Sequence, residues 1–314
     1  APGMEVCADC HPDHVDGFKE TGMGRSVYRP SSQPIIEDFE TSSVLHPISG
    51  IRYRAYVDPT GRWWQEESLD NSDYKRRVEV EYVVGSGNHT RSYMGMVENE
   101  LVQLPLTWYS GRKLWDMSPG YRGPNHFRFN RPIKAPCLFC HNDLTASRDG
   151  TQAGYTETLA EGISCVRCHG NGSAHVAARS AGRPLDPQKP DILNPARLSN
   201  AGQLKLCQQC HLAGETRVLM PGQRWDTYDP STPLEDFMSI YSYAIDGGAE
   251  FGIASHGQRL ALSQCFSQSD GRLTCTKCHN PHRKQSKRGQ REACLNCHKM
   301  EDCGDEHSRG SAAN

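Results

Sequence analysis

Cys275-Thr-Lys-Cys278-His279-Asn-Pro-His282 is the stretch from which the rest of the chain can be read. Two cysteines three positions apart, with a histidine directly after the second, spell C-x-x-C-H, the attachment signature of a c-type haem. The thiols bond the vinyl groups of the porphyrin, and the histidine becomes the proximal ligand of the iron. The same spacing recurs at Cys7/Cys10/His11, Cys137/Cys140/His141, Cys165/Cys168/His169, Cys207/Cys210/His211 and Cys294/Cys297/His298. With 14 Cys and 14 His in 314 residues, chance supplies roughly 0.03 such motifs. A lone copy is compatible with a zinc site or a redox dithiol. Repetition removes that alternative and implies six covalently attached c-type haems.

Composition agrees with a cofactor-filled interior. Leu, Ile, Val and Phe total 53 of 314 residues, about 17%, below the roughly 20% at which disorder becomes a concern. The formal net charge is only -2, so self-repulsion does not argue for disorder. Six apolar macrocycles replace aliphatic side chains as the core, and the haem-free chain is expected not to fold. No apolar run reaches the ~18 residues of a membrane span. The Ala-Pro-Gly start, with no Met and no apolar leader, reads as a mature form, and covalent haem attachment places the protein outside the cytoplasm. The expected location is secreted, extracellular or periplasmic. Twelve cysteines belong to motifs; Cys265 and Cys303 remain and suggest a disulfide.

Taken in order, residues 1–43 form an N-terminal haem segment, where Cys7-Ala-Asp-Cys-His11-Pro-Asp-His14 repeats the layout of the opening stretch. Residues 44–135 hold no motif. There IRYRAYV (51–57), a turn at Asp58-Pro-Thr-Gly61, then 62–69, VEVEYVV (78–84), 90–97 and 101–110 are aromatic and β-branched runs punctuated by Gly, Asn and Asp. They predict a small antiparallel sheet over about 44–115, packed by Trp63, Trp64, Trp108 and Trp115. Residues 136–314 form a multihaem region with five motifs, separated by 23, 37, 63 and 14 residues. Thr232-Pro-Leu-Glu235 looks like a capping box opening a helix striped by Leu234, Phe237, Met238, Tyr241 and Ile245 and ended by Gly247-Gly248. Ser255-His-Gly-Gln258 looks like a second box. The basic run RKQSKRGQR (283–291) reads as a solvated loop. The fold class expected is mostly irregular, with short α-helices wrapped around a chain of haems and a small antiparallel sheet near the N-terminal third.

Six histidines are proximal, and eight remain: His14, His46, His89, His126, His175, His256, His282 and His307. Eight candidates suffice for bis-histidine ligation throughout, and none of the eight Met repeats at a fixed offset from a motif. His14 and His282 each follow a motif histidine by three residues. That is too close to reach the opposite face of the same haem, so each is expected to ligate a neighbouring one. His175 follows in Cys165-Val-Arg-Cys-His169-Gly-Asn-Gly-Ser-Ala-His175, where glycines let the backbone approach a flat ring.

At these residues the sequence resembles a family of secreted multihaem cytochromes with doubled C-x-x-C-H motifs, some members of which are fused to tetratricopeptide repeats. The matching pieces are Cys7–His11 with Thr21-Gly-Met-Gly-Arg25, His46-Pro-Ile-Ser-Gly50, Gly85-Ser-Gly-Asn-His89, Leu106-Thr-Trp-Tyr109, Ser118-Pro-Gly-Tyr121, Cys137 to Asn142, Gly162 to His175, Asn194-Pro-Ala-Arg197, and Ser263-Gln-Cys-Phe266 leading into the opening stretch. They cover roughly residues 5–300. The resemblance implies His46, His89, His126, His175, His256 and His282 as distal ligands, and it implies electron transfer without naming a donor or acceptor. No repeat array follows the sixth motif.

Three classes of function stay open on the sequence. The first is an electron conduit, with every haem six-coordinate. Its partners are redox proteins or an extracellular acceptor, and nucleic acid has no part in it. Hexahaem nanowire-type cytochromes share the haem count, so end-to-end association into a filament, with haem contacts between subunits, belongs to this reading. The alternative is a multihaem oxidoreductase with one open haem site acting on a small nitrogen or sulfur compound. It lacks the C-x-x-C-Lys variant of some nitrite reductases, and a carrier or conduit is favoured over an enzyme. A haem-stabilised scaffold is the third reading.

Overall fold

The computed structural model describes residues 1–143, 146–148, 151, 153–212, 214, 216–241 and 256–299. The chain divides into two compact units. One comprises Gly22–Ser164 with Trp225–Thr227; the other comprises Ala1–Thr21, Cys165–Arg224 and Tyr228–Asn314.

The first unit is built from antiparallel strands: β1 Val27–Tyr28, β2 Val44–Leu45, β3 Ile51–Val57, β4 Trp63–Leu69, β5 Lys75–Glu79, β6 Tyr82–Val84, β7 Thr90–Val97, β8 Glu100–Gln103, β9 Leu106–Tyr109, β10 Leu114–Met117 and β11 Arg131–Pro132. β2-β3-β4-β5 make a four-stranded sheet; β1-β6-β7-β8-β11, with β9 joining β7 to β10, make a seven-stranded one. The β-region is therefore larger than the small sheet expected and spans residues 27–132. Alternation decides β3, whose Ile51, Tyr53 and Ala55 point inward. Val57 pairs with Trp63 and Tyr56 with Trp64. The turn between them closes on Asp58: its carboxylate accepts the Thr60 and Arg62 backbone N–H groups at 2.8 and 3.1 Å and Trp64 Nε1–H at 2.9 Å. Gly61 takes φ +85° there, a region that costs other residues energy.

Aromatic and β-branched side chains from both sheets share one core: Tyr28, Tyr53, Trp63, Val78, Val80, Val83, Tyr93, Trp108, Trp115 and Phe129 are among them. Trp63, Trp108 and Trp115 pack there as expected, while Trp64 is only half-buried and donates to Asp58. Two expected strands are broken. Residues 78–84 split after Glu79, because Val80 N–H bonds to Trp63 and Glu81 N–H to Met94, carrying the chain from one sheet to the other. Residues 101–110 split at Pro105, which has no N–H to give a ladder. A buried ion pair, Arg91 with Glu37 at 3.1 Å, sits beside the core, and Tyr93 donates its hydroxyl to the same carboxylate at 2.8 Å.

The second unit is made of short helices and one ribbon. Pro12–Lys19, Ser173–Ser180, Asn200–Gln208, His256–Ala261 and Lys287–Glu292 are its longer helices. Ser199 and Ser286 cap two of them, accepting the N–H of Gly202 at 3.1 Å and of Gly289 at 3.0 Å. The helix expected over 234–245 stops at Phe237. Met238–Tyr241 (β13) extends instead and pairs with Thr216–Leu219 (β12). Thr232 makes no cap there: Pro233 occupies the N-cap position. The second box opens the helix at His256 as expected, but its Ser255, like Ile245, Gly247, Gly248, Cys303 and His307, lies outside the described residues. Cys265 is exposed, and none of the thirteen described cysteines is in a disulfide. Among the described residues no helix is long and apolar enough to cross a membrane.

Candidate haem sites

C-x-x-C-H places its three reactive side chains at i, i+3 and i+4, one face of a single helical turn. The structure forms that turn at the motifs. The histidine N–H bonds to the first cysteine's carbonyl at 2.9 Å for His11, His169, His279 and His298, and at 3.0 Å for His211. Cys137, Cys140 and His141 lie in the helix Ala135–His141. Ser26 Oγ donates to the His141 carbonyl at 2.7 Å, tying that motif to β1's approach. The unit with strands thus holds one motif and the unit with short helices holds five.

Four of the expected attachment thiols, Cys10, Cys210, Cys278 and Cys297, lie beyond the end of a helix, the last two after 3-10 turns over Cys275–Lys277 and Ala293–Asn296. The helices Met4–Ala8 and Asn200–Gln208 end before Cys10 and Cys210. The Cys10 N–H reaches the Cys7 carbonyl, and the Cys210 N–H the Cys207 carbonyl, only at a long 3.3 Å. Each carbonyl is shared, because it also accepts the histidine N–H four residues on at 2.9 or 3.0 Å. Cys10 is exposed and Cys210 half-buried, and neither is in a disulfide. Each therefore sits on a closing turn beyond its helix, one cysteine after the buried or half-buried partner that the helix itself carries.

In the helical unit the structure gathers imidazoles that sequence leaves far apart. His11 faces His175 with ring centres 6.5 Å apart and planes 18° off parallel. His169 faces His282 at 6.0 Å and 22°. A metal–imidazole bond of about 2 Å on each side of one iron would put two ring centres about 6 Å apart, and both pairs leave room for such an iron. His14 lies between them, 6.3 Å from His11 and stacked on His282 at 4.9 Å. Burial and the neighbouring His14 and His169 push the pKa of His282 down, which keeps its nitrogen lone pair available. The close approach is set by Gly17, where an added Cβ would meet the His282 carbonyl oxygen at 2.5 Å.

Hydrogen bonds fix the tautomers of two of these rings. His169 Nδ1–H donates to the Leu193 carbonyl at 2.9 Å, and His175 Nδ1–H to Asp191 Oδ1 at 2.9 Å. In a neutral ring that arrangement puts the free lone pair on Nε2, the form a metal requires. Neither Asp191 nor Leu193 stands out in the sequence: no spacing relates them to a motif, and only the fold brings them in.

The other expected ligands are placed differently. His211 meets His256 through their Nδ1 atoms at 3.0 Å, with rings 5.1 Å apart and 46° inclined. Burial lowers the His211 pKa, helped by His256 and His279. Beside Cys278 and His279 a cleft of about 500 Å³ opens, lined also by Gln285, Gly289, Glu292 and Asn296. Cys207 and Cys275 approach within hydrogen-bonding reach, which lowers the Cys275 thiol to about 7 and raises Cys207. In the strand unit His46 is fully buried and touches His126 edge-on, with ring centres 4.4 Å apart. His46 Nδ1 accepts the Ser49 N–H at 3.1 Å and His126 Nδ1 the Arg128 N–H at 3.2 Å. Burial lowers the His126 pKa, with His46 and Arg128 adding to it. His89 is exposed, and its carbonyl accepts the Ser110 N–H at 2.9 Å.

The donor set, two thiols and a histidine on one helical turn with a second imidazole opposite, is that of a c-type haem. Residues 125–212 match the family described as cytochrome c7 and related cytochrome c. The matched span holds the motifs at 137–141, 165–169 and 207–211, and the cytochrome c7 match implies covalently bound c-type haem and electron transfer. No curated protein matches the chain. Among solved structures, the outer cell wall cytochrome OcwA is similar, with a TM-score of 0.46 and 18% identity over 77% of this chain and 45% of that one. The chain therefore spans less than half the length of that protein.

Proposed function

We propose that this chain is a hexahaem c-type cytochrome that relays electrons outside the cytoplasm, with one haem on each motif. The observation that carries the reading is the run of imidazoles His175, His11, His14, His282 and His169, every neighbouring pair within 6.5 Å and 23° of parallel. His11 and His175 would hold the iron of a haem on the Cys7 motif, and His169 and His282 that of a haem on the Cys165 motif. Each bound haem supplies one-electron chemistry. The residues attach it, fill both axial positions and keep the ligand nitrogens deprotonated. A carrier needs no open iron, and a ligand pair at each of these two sites fills both positions.

Mass spectrometry of the holoprotein counts the haems, and electron paramagnetic resonance reads their spin state. Six haems, all low-spin when ferric, are expected. A high-spin ferric signal that shifts on adding cyanide would replace this reading with the oxidoreductase that acts on a small nitrogen or sulfur compound. The reading extends to end-to-end association. In this extension a haem on the last motif, Cys294/Cys297/His298, meets one of a second chain. Electron micrographs that contain only single particles at high concentration would remove that extension.

A further inference from the structure

One three-residue stretch, Asp191-Ile-Leu193, governs imidazoles that belong to two different haem sites. Asp191 Oδ1 accepts Nδ1–H of His175 at 2.9 Å, and its Oδ2 accepts Arg179 Nη2–H at 2.8 Å. His175 and Arg179 stand one turn apart on the helix Ser173–Ser180, so both face the same carboxylate. All three side chains are about one-fifth exposed. Two residues on, Leu193 closes a reciprocal pair with His169: its N–H donates to the His169 carbonyl at 3.2 Å, and its own carbonyl accepts the His169 Nδ1–H at 2.9 Å. One imidazole thus donates to a charged acceptor and the other to a neutral one.

We propose that Asp191 sets the reduction potential of the haem that His175 ligates, and makes that iron harder to reduce than the neighbouring iron between His169 and His282. The inference rests on the pairing of His11 with His175 given above. A carboxylate draws the Nδ1 proton more strongly than a peptide carbonyl does, which makes the imidazole a better donor and stabilises the ferric state. Second-shell hydrogen bonding is one of the protein's levers on haem potential. Arg179 moderates the effect, because it shares the carboxylate's charge. On reduction one electron enters the iron and the Nδ1 proton stays on His175. The two adjacent haems are therefore unequal, and an electron arriving at the first lowers its free energy by moving to the second.

A spectroelectrochemical titration of the holoprotein, with dithionite as reductant and ferricyanide as oxidant, tests this. Asp191→Asn keeps an acceptor oxygen and removes the charge. One haem of the six is expected to shift to higher potential while the other five stay. Arg179→Gln is expected to shift the same haem the other way, and Asp191→Glu to restore the wild-type curve. An unchanged titration in Asp191→Asn, or a uniform shift of all six haems, overturns the proposal. Arg179→Gln provides a second reading should Asp191→Asn lose haem: a shift downward in one haem supports the proposal and no shift overturns it. His175→Ala separates this from failure of the pairing itself. With the pairing correct, one haem turns high-spin in that variant; six low-spin haems there would sink the pairing, and the proposal with it.

Discussion

The strand unit and the helical unit solve the burial problem in different ways. Among the described residues the strand unit buries 27 hydrophobic side chains and the helical unit buries 8, Val15, Phe18, Ala178, Leu206, Tyr228, Leu234, Phe237 and Met238. The helical unit carries five of the six motifs and the strand unit one. Eight side chains cannot repay the conformational entropy of ordering a segment of that length. The helical unit needs another apolar mass, and in the proposed reading the haems on its five motifs supply it. The strand unit has its own aromatic core, with Trp115 tilted against Tyr93 at 5.3 Å and edge-on to Trp108 at 5.7 Å. Leu, Ile, Val and Phe are 28 of 146 residues in the strand unit and 25 of 168 in the helical unit, so the shortage is the greater in the helical one. The expectation that the whole chain collapses without haem becomes a prediction about that half alone.

The largest test removes the cofactor. In a chain with every motif cysteine changed to alanine, hydrogen exchange is expected to find residues 165–212 and 256–299 unprotected, while β3, β4 and β7 stay protected. Protection across 165–212 in that chain would erase the distinction between the units. The converse attacks the aromatic core. Trp115→Ala removes a ring packed against Phe39, Tyr93 and Trp108 and an Nε1–H bond to the Asp38 carbonyl. The strand unit should lose about 3–5 kcal/mol. Thermal denaturation followed by circular dichroism measures it, and the low-spin haem spectrum of the helical unit is expected to be unchanged below the transition.

Sequence reads the two units with unequal success, for physical reasons. The β3 strand and the Asp58 turn are local: alternation and a turn-forming side chain decide them within ten residues. The break at Val80 is invisible because the run stays apolar on both sides of it, and hydrogen bonds to Trp63 and Met94 make the switch. A capping pattern at Thr232 loses to β13, since pairing with β12 satisfies more backbone groups than one more helical turn. The motifs were legible because covalent attachment fixes spacing within five residues. Spacing does not say where a helix stops, so the place of Cys10 and Cys210 beyond their helices had to come from the fold. The imidazole pairs were not legible either, for 164 positions separate His11 from His175 and 113 separate His169 from His282. Spacing makes His282 an expected ligand of a neighbouring haem, and the fold sets its ring 6.0 Å from that of His169. Asp191 carried no signal at all.

A smaller effect probes where a helix meets the imidazole run inside the helical unit. Gly17 lies in the helix Pro12–Lys19 against the His282 carbonyl. Backbone cannot yield as a side-chain tip can, so Gly17→Ala must move the helix or the 280–283 loop. The expected result is a changed g-tensor for one low-spin haem in electron paramagnetic resonance, with the other signals retained. A spectrum identical to wild type would mean that the loop absorbs a methyl group freely and that His282 is not held by this contact.

The smallest effect separates a local electrostatic device from the haem chemistry. Hydrogen bonds from the Thr60 hydroxyl and Trp64, then those of the Arg62 and Thr60 backbone, hold the Asp58 carboxyl well below the usual carboxylate range. A folded-state pKa below the unfolded one means that the unfolded chain binds the extra proton, so stability rises with pH through that window. The Asp58 contribution is therefore complete above about pH 4, the ordinary carboxylate value, and fades as pH falls toward the depressed one. Asp58→Asn should lower the melting temperature of the strand unit slightly at pH 7, and the gap to wild type should narrow steadily below pH 4. Because Asp58 lies half-buried on a surface turn, with water still reaching its carboxylate, screening keeps the difference small. A gap that stays constant with pH would mean that the turn is held by its backbone bonds alone. The haem spectra serve as the internal control: Asp58 belongs to the unit that is expected to stand without the haems of the other, so they should not respond to this substitution.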